Sequence, residues 1–487
     1  MPLRKILGNT SNLSRSIAIL GILIGVVLGL TAAVVPYYLI LAIVAIVAIL
    51  TAIYFVKSFE EAILGFLVVR SSLDAFSAQQ IPALVAILVD LVTLVYIVML
   101  LFSKQKIQLD GFWCFFAAWI ALQGLWVVLL PLGGLGFDAS VLSTSVREWV
   151  RMFSWLMFYL LIMQFKDRLD PEKVISALFL SLVIPLIAAL LQVICPPSIL
   201  PSFLVFESGY SVEAGSRING TLGHPNTFAT FVLLFLGLTL WKITISQQRK
   251  YWLILLGILS FFLVSTNSLT GMMMLVAFVI VYFILKASPI NLIAGLCLLM
   301  LIIALFVSSD MGQERLQSLY GTPLLNPNID WSRAVLLQWE DGNSFNWRIA
   351  QWTYLLQSWQ KYPIWGYGLG TAAYISVFDT AAHNDYIRFL VEEGIVGLTV
   401  FLVFLFAQAV RLIQLMFSVS PASPQRSLCS VMLAYFVAIL VGMLTGNILV
   451  HTTLFFYWWT LIAIAGWNWT PSNRFDSNQT LPIKVNK

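Results

Sequence analysis

Two short segments of this 487-residue chain hold the residue types best suited to chemistry. The first reads Arg217-Ile-Asn-Gly220-Thr-Leu-Gly223-His224-Pro225-Asn226 and runs into an apolar stretch, and the second is His383-Asn384, nine residues before Gly394-Ile-Val-Gly397. An arginine presents a planar fork of donors that fits phosphate and carboxylate oxygens, and a helix N-terminus adds oriented N–H groups. With Asn226 expected as the N-cap of the following helix, Arg217 and that helix start converge on one anion. His383 has the side chain that titrates near neutrality, suited to take a proton from an attacking hydroxyl or to orient it. His224 fits either a turn beside Pro225 or a second catalytic group. His451, at the outer end of the last apolar run, where that run begins, reads as structural.

Other charged residues admit plainer accounts. Arg147 and Arg151 stand four apart, where like charges on one helix face repel unless an anion lies between them, although Glu148 is placed to pair with Arg151. Arg70 and Asp90 fall at matching depth in adjacent apolar runs, so a buried ion pair is expected. Gly366, Gly368 and Gly370 lack the strand, helix and acidic residue of a dinucleotide site and read as a turn. Cys114, Cys195, Cys297 and Cys429 show neither a disulfide framework nor zinc spacing. No metal or cofactor is expected, Glu340-Asp341 being a thin acidic candidate.

The elements that position these residues belong in a bilayer. Residues are 60% hydrophobic and 10% charged, with mean hydropathy +0.92, whereas soluble domains carry about 25% charge. The net charge of +5, without a basic run, gives no indication of nucleic acid. Apolar runs of spanning length lie near 17–35, 37–56, 62–78, 81–102, 112–130, 148–165, 174–195, 226–241, 251–266, 270–286, 290–307, 395–413, 427–446 and 450–467. The expected fold is all-α, a polytopic transmembrane bundle of about fourteen helices in a single membrane domain over residues 1–487. Lys57, Lys104, Lys106, Lys166, Arg168, Lys173, Lys242, Arg249, Lys250, Lys286, Arg411, Arg426 and Arg474 fall in alternate loops, which places both termini and the tail 471–487 in the cytoplasm.

This threading puts 131–147, the Arg-bearing loop 196–225 and the large loop 308–394 at the outer face. The large loop is expected to carry short amphipathic helices. One has Arg348, Trp352, Leu355 and Trp359 along an interfacial face. A helix from His383 to Leu412 would run about 45 Å, beyond the hydrocarbon core of about 30 Å. Gly394 is the natural break, leaving a short helix with Tyr386, Ile387, Leu390 and Val391 on one side and Asn384, Arg388 and Glu392 on the other.

Taken together, the two segments resemble the O-antigen ligase and O-antigen polymerase superfamily. That family shows an Arg, a Gly and a Pro-Asn before a helix, then a glycine-bearing stretch, then His-Asn or a similar pair nine residues before Gly-x-x-G. The glycine-bearing stretch here is Pro363-Ile-Trp-Gly366-Tyr-Gly368-Leu-Gly370, preceded by Arg348 and Trp352. Where relatives often place Ser-Arg, this chain has Ser265-Thr-Asn-Ser-Leu-Thr-Gly271. The resemblance implies a metal-independent, inverting transfer of a glycan from a polyprenyl pyrophosphate carrier to an acceptor hydroxyl at the outer face of the inner (plasma) membrane. The acceptor could be a lipid, a growing glycan or a protein. His383 would be catalytic, Arg217, Arg348, Arg147 and Arg151 would hold pyrophosphate, and Asn226, His224, Asn384, Gly394 and Gly397 would support them. A transporter or accessory protein related to bicarbonate accumulation is the alternative. It would usually show inverted repeats, broken mid-membrane helices and central charges, whereas this sequence shows no repeat and its polar features cluster at the outer mouth.

Overall fold

The structure, a computed structural model, describes residues 58–206, 217–286, 289–332, 335, 344–376, 378 and 380–469. The expected spans 17–35 and 37–56, Glu340-Asp341 and the tail 471–487 lie outside the described residues. The chain divides into two compact units, 1–66 and 67–487, and the second contains every candidate site residue.

All regular elements among the described residues are helical. In chain order they are α1 (Phe59–Leu73), α2 (Ile81–Phe102), α3 (Gly111–Leu132), α4 (Leu142–Met163), α5 (Pro171–Leu180), α6 (Val183–Ile194), α7 (Pro225–Ile245) and α8 (Arg249–Ser265). There follow α9 (Leu269–Lys286), α10 (Pro289–Ser308), α11 (Asp310–Tyr320), α12 (Ser344–Trp359), α13 (Ala372–Ile375), α14 (Asp385–Phe417), α15 (Pro424–Gly442) and α16 (Thr452–Ala465). Among the described residues seven segments are long and apolar enough to cross a membrane: α2, α3, α5 with α6, α7, α9, α14 and α15. An eighth arises if α10 and α11 form one bent span. α4 misses the criterion because its first turns carry Arg147, Glu148 and Arg151, and α16, though apolar, has only 14 residues.

Burial sorts these helices into inner and outer positions. α16 is buried from Thr453 to Ala465, and α7 is buried over most of Thr227–Trp241. A helix apolar all round belongs inside a bundle. α2 instead exposes Leu84, Leu88, Leu91, Val95 and Met99 on one face, as a helix bordering lipid does. Aromatic stacking joins the layers: Trp119 of α3 lies on Phe404 of α14 with ring centroids 4.0 Å apart, and Phe116 packs on Trp459 of α16 at 4.5 Å.

α14 is broken where the sequence indicates. Gly394 has φ +68°, in the left-handed region, and separates a short helix from the long span. The backbone groups freed by the break are bonded by the glycine-bearing loop 363–370. Tyr367 N donates to Val391 O (3.0 Å) and Gly368 N to Glu392 O (2.7 Å), while Ile395 N donates to Pro363 O (2.9 Å) and Val396 N to Ile364 O (3.3 Å). The contact leaves no room for side chains. A Cβ at Gly394 would lie 2.1 Å from Ile364 O, and one at Gly366 would lie 2.5 Å from the Glu392 backbone. The loop therefore splices the broken helix, a more specific role than the turn its sequence suggests.

The expected Arg70–Asp90 pair is not formed. Both residues are buried, yet Arg70 pairs with Asp74 at 2.6 Å and Asp90 accepts from Ser154 Oγ. Asp74 lies one turn along from Arg70, so it is reached without a contact between helices, and it also accepts from Thr453 Oγ1 at 2.6 Å.

Candidate active site

His383 stands just before α14, and three elements hold it in place. Asn384 caps α14, its Oδ1 accepting from Ile387 N (3.0 Å), while its Nδ2 donates to Leu444 O (3.0 Å). From α12, Trp352 Nε1 donates to Ala382 O (2.8 Å) and Gln351 Nε2 to Ala381 O (2.7 Å), fixing the loop that leads into the histidine. Trp347 sets its ring edge-on to the imidazole, centroids 5.2 Å apart. His383 itself has φ +51°, a backbone state that non-glycine residues adopt in only a few per cent of cases.

α12 differs from expectation in what its face meets. Leu355 is fully buried against Tyr367, Ala372, Ala382 and Val391, with Trp359 packed on the same cluster. The apolar face is covered by protein. The opposite side of the short helix 385–393 is covered as well. Arg388 and Glu392 are buried, Arg388 bonding Glu148 at 2.7 Å and Glu392 at 3.2 Å, and Glu392 accepts from the backbone of Gly370 (2.9 Å) and Ala372 (3.1 Å). Buried guanidinium and carboxylate groups persist when paired and hydrogen-bonded, and here the partners come from α4 and the glycine loop.

The second segment is capped differently from its sequence expectation. His224, not Asn226, is the N-cap of α7, with Nδ1 accepting from Asn226 N at 3.0 Å and Pro225 at the first helical position, where its missing N–H costs nothing. Asn226 is thereby free to use its side chain elsewhere. Its Oδ1 accepts from Arg217 NH2 (3.3 Å) and Ser268 Oγ (2.7 Å), while Arg217 Nε donates to Thr266 O (3.1 Å). The segment 265–271, which replaces the relatives' Ser-Arg, thus supplies one acceptor to Arg217, Thr266 O, and one donor, Ser268 Oγ, to the Asn226 side chain that orients it.

Electrostatics ties the two segments together. Burial and then the nearby Arg348 and His224 push His383 down to about 3, so its imidazole is neutral at neutral pH. Burial, Arg217 and Arg348 push His224 down to about 4. Arg348 therefore acts on both histidines, and Arg217, His224, Arg348 and His383 share one neighbourhood. His451, which sequence reasoning set apart, adjoins it, since charge on His224 acts on His451. The chain has three histidines, and all three lie at this end.

The remaining candidates have other places. Arg151 bonds Glu148 (2.6 Å), as its spacing suggests, and through Glu148 connects to Arg388. Arg147 is exposed and has no hydrogen bond or ion pair among the described residues. Gly397 packs on Glu393, where a Cβ would come within 2.0 Å of the Glu393 Cβ. Glu148 and Arg388 are 240 positions apart and carry no shared motif, so only the fold shows their pairing. Trp347 directly precedes Arg348 of the expected interfacial helix, but its contact with His383 has no signature in the sequence.

No curated protein matches this chain. Residues 253–402 match the family model described as O-antigen ligase, a stretch that contains Arg348, the glycine loop, His383, Asn384, Gly394 and Gly397. This part of the chain is thus similar to the O-antigen ligase family; the match includes the second of the two motifs, while the segment 217–226 lies outside it.

Proposed function

We propose that the chain transfers a glycan from a polyprenyl pyrophosphate carrier to an acceptor hydroxyl at the outer membrane–water boundary, by a metal-independent, inverting displacement. The observation that carries this proposal is the neighbourhood of Arg217, His224, Arg348 and His383: two guanidinium groups beside two neutral imidazoles. In the proposed step the acceptor oxygen attacks the anomeric carbon as the carbon–oxygen bond to pyrophosphate breaks on the opposite face. His383 takes the hydroxyl proton, and the carrier pyrophosphate departs with both electrons of the broken bond. Arg217 and Arg348 hold the leaving charge with charge-assisted hydrogen bonds. An incoming pyrophosphate offsets the charge of Arg348, one of the causes that depress His383, and so raises the basicity of the imidazole as substrate binds.

The outer location is supported by the distribution of cations. Helix directions put Lys104, Lys166, Lys242, Lys286 and Arg411 at the end opposite His383, and the positive-inside rule assigns that end to the cytoplasm. Cysteines introduced at Lys104 and Arg249 are expected to resist an impermeant reagent applied to intact cells. One introduced at Trp331 is expected to react.

The deciding experiment is reconstitution with a polyprenyl pyrophosphate glycan and, in parallel, a lipid, glycan or protein acceptor, with and without a chelator. Chelator-insensitive transfer supports the proposal. Absence of transfer with every acceptor, together with solute flux in proteoliposomes, would move the protein to the transporter alternative.

A further inference from the structure

The third histidine has a geometry that its sequence context did not indicate. His451 is 5% exposed and precedes α16, with Nδ1 3.0 Å from Thr230 Oγ1 on α7. The Thr230 hydroxyl has a single proton, and it donates this to Thr227 O at 2.9 Å. With the proton so placed the hydroxyl is an acceptor toward His451, which assigns the imidazole proton to Nδ1 and a lone pair to Nε2. Nε2 meets no partner among the described residues. His224 is the mirror case. Its Nδ1 accepts from Asn226 N, which puts the proton on Nε2. These tautomers follow from the hydrogen-bond network.

We propose that His451 is a sugar-binding residue of the same site, its Nε2 accepting a hydrogen bond from a ring hydroxyl of the transferred glycan while the Nε2–H of His224 donates to an oxygen of the same substrate. This rests on the transferase assignment above and adds to it the partner recognised: a hydroxyl, which gives a proton to one ring and accepts from the other, rather than a phosphate, which can only accept. A purely structural His451 would need only its Nδ1–H to Thr230. A buried imidazole with one nitrogen bonded and the other open suits a site that rejects substrates lacking the matching hydroxyl, because the polar atom is then left unpaired.

The test uses His451→Asn, whose amide nitrogen reproduces the Nδ1–H donor to Thr230 but which has nothing in place of Nε2. Binding is measured for two probes, polyprenyl pyrophosphate bearing one sugar and the bare polyprenyl pyrophosphate. The expected result is an unchanged unfolding midpoint, at least tenfold weaker binding of the sugar-bearing carrier and unchanged binding of the bare one. Wild-type affinity for both probes in a folded His451→Asn protein overturns the inference and leaves the transferase assignment standing. Wild-type protein that binds neither probe overturns both. Should His451→Asn fail to fold, diethyl pyrocarbonate labelling of the wild-type protein decides. His451 is expected to be modified and to be protected by the sugar-bearing carrier more than by the bare one, and no modification, or equal protection, overturns the inference.

Discussion

The glycine loop 363–370 and the segment 217–226 both stand out as motifs in the sequence, yet they do different physical work. In the loop the backbone is the working part: its N–H and carbonyl groups complete the broken α14, and its glycines are needed because the two chains touch. In the second segment side chains are the working part: His224 caps α7, Asn226 steers Arg217, and the guanidinium stands beside His224. A motif of glycines can therefore mark a splice, whereas the motif of Arg, His and Asn holds side chains in the arrangement proposed to meet the substrate. The expected consequences of substitution differ accordingly, in stability for the first and in turnover for the second.

The largest effect is expected at Gly394. At φ +68° and ψ −167° Gly394 occupies a backbone region essentially restricted to glycine, which costs another residue about 1–3 kcal/mol, and the Cβ contact of 2.1 Å with Ile364 O adds to it. Gly394→Ala should leave little folded protein, read as lost monodispersity and a lower unfolding midpoint in detergent. A variant that folds and melts normally would remove the distinction between splice and surface.

Next comes His383→Ala, expected to lower transfer by about 10²–10⁴-fold, the usual contribution of a general base, with normal abundance and melting. If transfer survives in the purified variant, the proton must go elsewhere. Arg217→Lys keeps the charge but loses the planar fork. Charge-assisted hydrogen bonds contribute about 1.5–3 kcal/mol, so transfer should drop about tenfold to a hundredfold at unchanged melting temperature. Equal activity would show that a point charge suffices.

A gentler probe is pH. His383 and His224 are depressed from 6.5 to about 3 and about 4, so in the folded protein both stay neutral down to pH 5. Transfer in the empty-site limit should therefore show no loss near pH 6.5, and a limb there in kcat/KM would contradict the depressed values. The stability effect has a defined sign. Unfolded histidines take up protons below about 6.5 and the folded ones do not, so stability is full above that pH and falls as pH drops toward 4 and 3. The smallest effect belongs to Arg147, which is exposed and outside the network. Arg147→Ala should change transfer less than about twofold, since substitutions away from specific contacts stay within about 0.5 kcal/mol. A large loss would restore it to the anion site.

Legibility in the sequence followed the range of the physics involved. Hydropathy and helix length are local, so the apolar runs and the break at Gly394 could be read directly. Local spacing also gave Arg151–Glu148, because three residues place two side chains on one helix face. Spacing misled for Arg70, where depth in neighbouring runs suggested Asp90 but the residue one turn away was the nearer partner. It misled also for Asn226, where proline's preference for the first turn passed the cap to His224. Contacts across hundreds of positions, such as Arg388 with Glu148 and His451 with Thr230, leave no trace in periodicity, since either partner alone reads as an ordinary polar residue at a helix end.

The splice at Gly394 also bears on how the protein accommodates bilayers of different thickness. A spanning helix adjusts to a thinner or thicker membrane by tilting, and an unbroken helix would swing His383 with it. Here the short helix is held by α12 and by the loop, and it joins the span through the dihedral angles of one glycine. Tilt of the span would have to be absorbed at that joint, with the loop's bonds to Ile395 N and Val396 N as the contacts that yield. The position of His383 is then referenced to the surface elements around it, so transfer measured in lipids of increasing chain length should vary less than the tilt of residues 395–417.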